Sequence, residues 1–319
     1  MTGRYASAFG PHAPDVTYVK HSYDERLFDT GEVELNFVVA GDDKKPALLL
    51  IPGQTESWWG YERALPLLAE HFHAHAVDLR GQGRSTRTPG RYTLDNMGND
   101  LVRVIDGVIR RPTIVSGLSS GGVLSAWLSA YARPGQIRGA HYEDPPLFSS
   151  EVNTSCGQSI DQGAGPVFVL WSKYLGDQWS IGDWDGLVAA IGADPRLSGG
   201  LFGATGGEPP QNLKEYDPEW ARAFSTGTVG IGCDHARMLA AVKVPVLLTH
   251  HFRRVDERTG LSVGALSDVQ AARVRELIAA AGQPCDYRSF PTMPHSMHGQ
   301  DPELFTSTLV EWAATLPAP

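Results

Sequence analysis

The sequence predicts an α/β protein with a mainly parallel sheet, helices on both faces and an inserted helical cap. Three observations predict it. Short apolar or β-branched runs alternate with stretches of helical periodicity, the order that builds parallel strands joined by crossover helices. The runs Ala47-Leu48-Leu49-Leu50-Ile51 and Val244-Pro245-Val246-Leu247-Leu248-Thr249-His250 are apolar almost throughout, as strands buried on both faces must be. From about 148 to 234 the strands stop, Gly, Asp and Pro multiply, and four of the eight tryptophans gather at Trp171, Trp179, Trp184 and Trp220. The organisation expected is therefore core 1–147, cap 148–234 and core again 235–319.

Taken in order, residues 1–16 carry Gly, Pro and Ala without periodicity and read as an arm. Strands are expected over Thr17–Phe28 and Val33–Ala40, turning at Asp29-Thr30-Gly31. The strand Ala47–Ile51 lies between Pro46 and Pro52 and runs into the loop Pro52-Gly53-Gln54-Thr55. A helical stretch near Tyr61–Glu70 precedes a strand His73–Leu79 and the loop Asp78–Ser85. Leu94, Met97, Leu101, Ile105 and Val108 recur at three- and four-residue intervals and make an amphipathic helix. The strand Thr113–Gly117 is followed by a helical face of Val123, Leu124, Trp127, Leu128 and Tyr131, then by a strand Ile137–Tyr142 ending in Glu143-Asp144-Pro145-Pro146. Beyond the cap come the strand to His250 and a helix from Ser267 with Gln270 three residues on as a capping box. A strand Cys285–Phe290 and a closing helix opened by Asp301-Pro302 complete the chain.

Composition narrows the function. The 319 residues are 42% hydrophobic and 20% charged, ample for a buried core, and the net charge is -9. Without a basic footprint, nucleic acid and an anionic membrane surface are excluded as expected partners, and a small neutral ligand is favoured. Cys156, Cys233 and Cys285 are widely spaced and odd in number, with no disulfide framework or metal-ligand spacing. No apolar core follows a basic start at the N-terminus, and no run of eighteen apolar residues occurs, so a soluble, cytoplasmic protein is expected. A homo-oligomer remains open.

The chemistry centres on Gly117-Leu118-Ser119-Ser120-Gly121. In Gly-X-Ser-X-Gly at a strand-to-helix turn, small neighbours let the serine stand exposed on a strained backbone, and the backbone N–H of the next residue, Ser120, faces a developing oxyanion. A serine hydroxyl needs a base to take its proton, and the base needs a carboxylate to fix its tautomer. His295 and His298 lie between the last strand and the last helix. The acid has two candidate places: Asp256 beyond the strand ending at His250, or Glu143 and Asp144 beyond the strand after the elbow helix. The commoner position favours Asp256.

With its histidine a few residues before a proline-containing helix start, the chain resembles the α/β-hydrolase superfamily over nearly its whole length. The resemblance implies Ser119 as nucleophile and His295 as base. Where that superfamily commonly has His-Gly after the third strand, this chain has Pro52-Gly53, which leaves the backbone of Gln54, with Gly53 beside it, as the second oxyanion donor next to Ser120. The paired serines, Glu143-Asp144-Pro145, the segment Tyr216-Asp217-Pro218-Glu219-Trp220-Ala221-Arg222 and the loop Met293–Pro302 further resemble zearalenone lactone hydrolases. That resemblance implies Glu143 as the acid, in a Glu-X-Pro, and Trp220 as a wall of the substrate pocket. Trp184, Tyr142 and His298 are further pocket candidates by position. The implied reaction opens the ester of a resorcylic acid macrolactone without a cofactor, a carboxylic ester hydrolase of lactonase type.

Other readings stay open. A carboxylesterase or a carbon–carbon bond hydrolase would use the same site, and a hydrolase-fold receptor would close its cap on a small molecule without turnover. His71, His73 and His75 share one strand face, but they sit at the strand's N-terminal end without a companion carboxylate, so no metal is expected. Gly81-Gln82-Gly83 lacks the third glycine of a dinucleotide fingerprint. The aromatics of 148–234 have an alternative fate as the cap's own core.

Overall fold

The computed structural model describes residues 19–194, 197 and 207–317. The expected arm at 1–16 and the start of the first strand lie outside these residues. One eight-stranded sheet organises the rest, in the order β1 (Arg26–Asp29), β2 (Glu34–Ala40), β4 (His73–Val77), β3 (Ala47–Ile51), β5 (Thr113–Leu118), β6 (Ile137–Glu143), β7 (Val246–His250) and β10 (Cys285–Ser289). β2 pairs antiparallel with both β1 and β4, and every pairing from β4 to β10 is parallel. A two-residue ribbon of β8 (Arg254–Val255) and β9 (Ser262–Val263) stands apart.

β3 shows why both faces are covered. Leu49 and Ile51 point into a core shared with helix α2 (Leu94–Val104) and helix α3 (Ser120–Tyr131), while Leu48 and Leu50 point into a second core with Trp58, Phe305, Leu309 and Trp312. A strand packed on both sides cannot alternate polar with apolar, and β3 does not.

Two expected elements are shorter than their patterns. The first strand begins at Arg26, because the residues before it tie down the loop after β3: Glu25 Oε1 accepts from Trp58 Nε1 at 2.8 Å, and His21 stacks on Trp59 at 5.2 Å. The helix near 61–70 divides into a 3-10 turn, Trp58–Tyr61, and a short helix α1, Leu65–Ala69. Pro66 has no N–H to give to a preceding turn, so it sits in the first turn of α1 and the helix starts there. The capping box on α9 (Asp268–Ala280) forms between Ser267 and Gln270, and Asp301 caps the closing helix, Pro302–Ala313, through Leu304 N.

Between β6 and β7 the described residues hold no strand. Their helices include α4 (Gly165–Tyr174), α5 (Trp184–Ala193), α6 (Gln211–Lys214), α7 (Glu219–Ser225) and α8 (His235–Leu239). This segment is stitched to the loops at the C-terminal ends of β3 and β4. Asp217 N donates to Gly81 O, Trp220 Nε1 to Arg80 O, Trp179 Nε1 to Gly83 O, and Ser57 Oγ to Glu215 Oε2, all at 2.7–2.8 Å. Asp78 anchors the same region from below, accepting from Asn36 Nδ2, Trp58 N and Arg84 N. Burial pushes its carboxyl up to about 7 despite those three donors. The inserted helices thus lie over the end of the sheet where β5 runs into α3.

Candidate active site

Ser119 joins β5 to α3 with φ 54° and ψ −121°, a backbone that L-residues rarely adopt. The flanking glycines are steric necessities. A Cβ on Gly117 would lie 2.1 Å from Gly121 O, and one on Gly121 would lie 2.3 Å from Ile51 O, so helix α3 can back onto β3 and β5 only with glycine at both. Ser119 N donates to Glu143 O at 2.9 Å, which ties the turn to the end of β6. Ser120 begins α3, so its N–H has no partner within the helix, while its own hydroxyl is buried without a hydrogen bond.

The loop after β3 passes close by: a Cβ on Gly53 would lie 3.3 Å from Ser119 Cβ. Gly53 is not a free oxyanion donor, however. Its N–H is engaged by Glu56 Oε2 at 3.2 Å, and Glu56 N returns a bond of 3.2 Å to Gly53 O. The Gln54 amide side chain leaves this loop to meet Tyr216 Oη.

His295 stands in the loop between β10 and the closing helix. Its Nδ1 lies 2.6 Å from Asp144 Oδ2, and since a carboxylate only accepts, Nδ1 carries the proton and Nε2 is free to act as base. Deep as the ring sits in the fold, 40% of its side chain can still be reached from outside. Burial lowers the imidazole's proton affinity, but the hydrogen bond and charge of Asp144, with the charges of Glu56 and Glu143, together outweigh it, so the pKa is raised. Asp144 is buried, which favours the neutral acid, and His295 together with His251 more than reverses that, holding the carboxyl below its ordinary value.

The carboxylate at His295 is thus Asp144, the neighbour of the one the resemblance implies. Glu143 does not reach His295. Its Oε1 accepts from Met297 N at 2.7 Å and His298 N at 3.2 Å, and its Oε2 meets His298 Nδ1 at 2.9 Å. Asp144 has φ 40°, and this left-handed residue ends the regular alternation of β6 just where the carboxylate meets the base. Asp256, the other candidate, is used up in a turn: its Oδ1 accepts from Arg258 N, Thr259 N and Thr259 Oγ1 at 2.8–3.0 Å. His251 escaped sequence reasoning. Its N–H donates to Asp144 Oδ1 at 3.1 Å and its Nδ1 to the carbonyl of His295 at 2.9 Å, so it braces both members of the pair. Its place at the C-terminal end of β7, level with the elbow, was the available signal.

The pocket candidates fare differently. Trp220 has no exposed surface: it packs against Tyr92 and Phe224 and spends its N–H on Arg80 O. Tyr142 is equally buried, its hydroxyl 2.6 Å from Ser129 Oγ on the α3 side of the sheet. His298 is fully buried and stacked on Tyr61 at 3.9 Å. None of these three walls a cleft. Trp184, at the start of α5, is 7% exposed and its buried indole N–H has no partner, so it alone of the four keeps an unspent donor. Trp220→Ala is thus expected to behave as a core truncation, costing about 3–5 kcal/mol of stability. Denaturant melts check this, and the activity loss should be equal on bulky and small esters.

Cavity size does not mark the chemistry here. A cavity of about 720 Å³ lies on the outer side of α3, lined by Val123, Trp127, Glu151, Phe224 and His235 among others, and Ser119, Asp144 and His295 are not among its walls. His73 Nδ1 accepts from the Arg111 guanidinium at 2.9 Å, a cation that would oppose a metal ion beside it. Among the described residues no group of three or more His, Cys, Asp or Glu is placed to hold a metal, and no helix is long and apolar enough to cross a membrane.

Comparison with known proteins agrees with this architecture. A family model described as the alpha/beta hydrolase fold matches residues 46–155. The bifunctional epoxide hydrolase 2 of Sus scrofa is 32% identical over 164 residues, 50% of this chain and 28% of that protein. The fluoroacetate dehalogenase of a Burkholderia species is 26% identical over 251 residues, 71% of this chain and 77% of that protein. Among solved structures, the enol-lactonase from Burkholderia xenovorans LB400 superimposes with a TM-score of 0.65 at 16% identity, covering 91% of this chain and all of that one. The chain has the α/β-hydrolase fold.

Proposed function

We propose that the protein is a cofactor-independent serine hydrolase of esters or lactones, with Ser119 as nucleophile, His295 as base and Asp144 as acid. The observation that carries this reading is the strained elbow at Ser119, bonded through its N–H to Glu143 O at the end of β6, where the next residue, the buried carboxylate Asp144, holds the Nδ1 proton of His295. Ser119 Oγ attacks the acyl carbon as His295 Nε2 takes its proton, and the oxyanion is received by the backbone N–H groups of Ser120 and Gln54. His295 then protonates the leaving alcohol, activates a water against the acyl-enzyme and returns the proton to Ser119 as the carboxylic acid departs.

Serine at the elbow bears on the likeness to an epoxide hydrolase and a dehalogenase. A serine oxygen that opened an epoxide or displaced a halide would be left as an ether, which water does not cleave. Attack on an acyl carbon leaves an ester, which water does cleave, so Ser119 favours acyl transfer.

The finer reading is the ester of a resorcylic acid macrolactone such as zearalenone. It rests on the segments around Ser119, Glu143, Trp220 and His295 that resemble zearalenone lactone hydrolases, with Trp184 as the remaining aromatic candidate for the pocket. Mass-spectrometric product analysis after incubation with zearalenone and simple aryl esters is the test. The ring-opened hydroxy acid, or its product after loss of CO2, is expected. Turnover of aryl esters alone would retain the hydrolase and discard the macrolactone, products of carbon–carbon cleavage would redirect the site, and no turnover of either would point to a ligand receptor.

A further inference from the structure

Glu143 and His298 take no part in the proton relay, yet they form a second buried histidine–carboxylate pair one residue from the acid and three from the base. Glu143 receives three donors from the loop that carries His295: the N–H groups of Met297 and His298 and the Nδ1 of His298. The far side of the His298 ring faces the other half of the site. Its Nε2 lies 3.7 Å from Glu56 Oε2 and 3.3 Å from Ser296 Oγ, and Glu56 Oε2 is the atom that engages Gly53 N in the loop after β3. Tyr61, stacked beneath His298 at 3.9 Å, donates its hydroxyl to Ile51 O at the end of that same strand, and Phe305 closes the edge of the ring at 5.6 Å.

We propose that His298 is a positioning residue: with Glu143 on one side and Glu56 on the other it clamps the oxyanion loop, 53–56, to the loop that presents His295. It touches neither substrate nor reacting atoms. The proposal rests on the hydrolase reading above, because it assigns the two loops their roles. Two loops from distant parts of the chain must hold donor and base in one register while charge develops, and a link through one buried ring fixes both at once. The flanking carboxylates favour a proton on that ring. Burial opposes protonation of His298, Glu143 and Glu56 outweigh it, and the pKa is raised. His141, His251, His295 and Asp144 are further titratable groups of this region, and Tyr61 lies flat against the ring.

Glu56 is the point to test, since its side chain is only partly buried and its replacement leaves the Glu143–His298 pair standing. In Glu56→Gln, kcat on an aryl ester should fall by about 10- to 100-fold with KM nearly unchanged, the size of effect expected when reacting groups are misplaced by about an ångström. The pKa of His298, followed by NMR of its ring, should drop. His298→Gln, which keeps a neutral donor toward Glu143, should lose kcat to a similar depth with the same KM, and the pH at which His295 titrates should barely move. Unchanged kcat in Glu56→Gln, or an unchanged His298 titration, overturns the clamp. A loss in His298→Gln as deep as that of Ser119→Ala would make His298 the base and overturns it too. Fluorophosphonate labelling of Ser119 in the unmodified protein separates the two levels: if Ser119 is neither labelled nor acylated, the hydrolase reading fails and the positioning role falls with it, whereas labelling with intact kcat in Glu56→Gln removes the clamp alone.

Discussion

Ser119→Ala is expected to lower kcat on an aryl ester by about 10⁴-fold or more while leaving the melting temperature in place. Alanine retains the Cβ that already lies against the Gly53 backbone and tolerates φ 54° no worse than serine does, so no new strain enters the elbow. What is lost is the oxygen that becomes acylated. The residue beside it provides the control, because Ser120 Oγ is buried with no hydrogen-bond partner and opens on no cleft. Ser120→Ala removes an unsatisfied hydroxyl and should be close to neutral in both stability and rate. Thermal melts and steady-state kinetics on the two variants decide the matter. If Ser120→Ala were the inactive protein and Ser119→Ala the active one, the nucleophile has been assigned one residue too early.

The elbow was legible because its requirements are local. Gly117 and Gly121 are glycine because of backbone atoms within four residues or on the adjacent strand, and a pentapeptide carries that information. His295 was legible from its place in the order of elements. The acid was not, because Glu143 and Asp144 are neighbours and strand alternation cannot say which carboxylate meets the base once Asp144 adopts a left-handed backbone. Nor could Trp220 be read. An aromatic at that position is visible in the sequence, but whether it walls a cleft depends on what lies beneath it, and that is the carbonyl of Arg80, 140 residues earlier. A still longer separation in sequence hides the link between Glu56 and His298, which meet only after β3 and the last loop are brought to one end of the sheet.

Asp144→Asn is expected to reduce kcat by about 10⁴-fold, as loss of a triad carboxylate does. The amide can donate to His295 Nδ1, which moves the ring proton to Nε2, and a protonated Nε2 cannot take the proton of Ser119. The pH profile supplies the second readout, with its sign fixed by the shifts. In the unmodified protein burial pulls the His295 pKa down, and Asp144, with smaller help from Glu56 and Glu143, pulls it up by more, so the acid limb of kcat/KM lies above the ordinary histidine value of about 6.5. Removing the carboxylate removes the larger upward pull, so whatever activity remains should have its acid limb at lower pH. Glu143→Gln should differ on both counts. It weakens the clamp around His298 and costs about 10- to 100-fold in kcat, as a displaced loop would. It leaves the Asp144–His295 bond intact, and the acid limb stays near its original place. Kinetics of the two variants from pH 5 to 9 distinguish the acid from its neighbour. A Glu143→Gln protein with the deeper loss and the shifted limb, beside a nearly normal Asp144→Asn, would return the acid role to Glu143 and mean that His295 turns away from Asp144 when substrate binds.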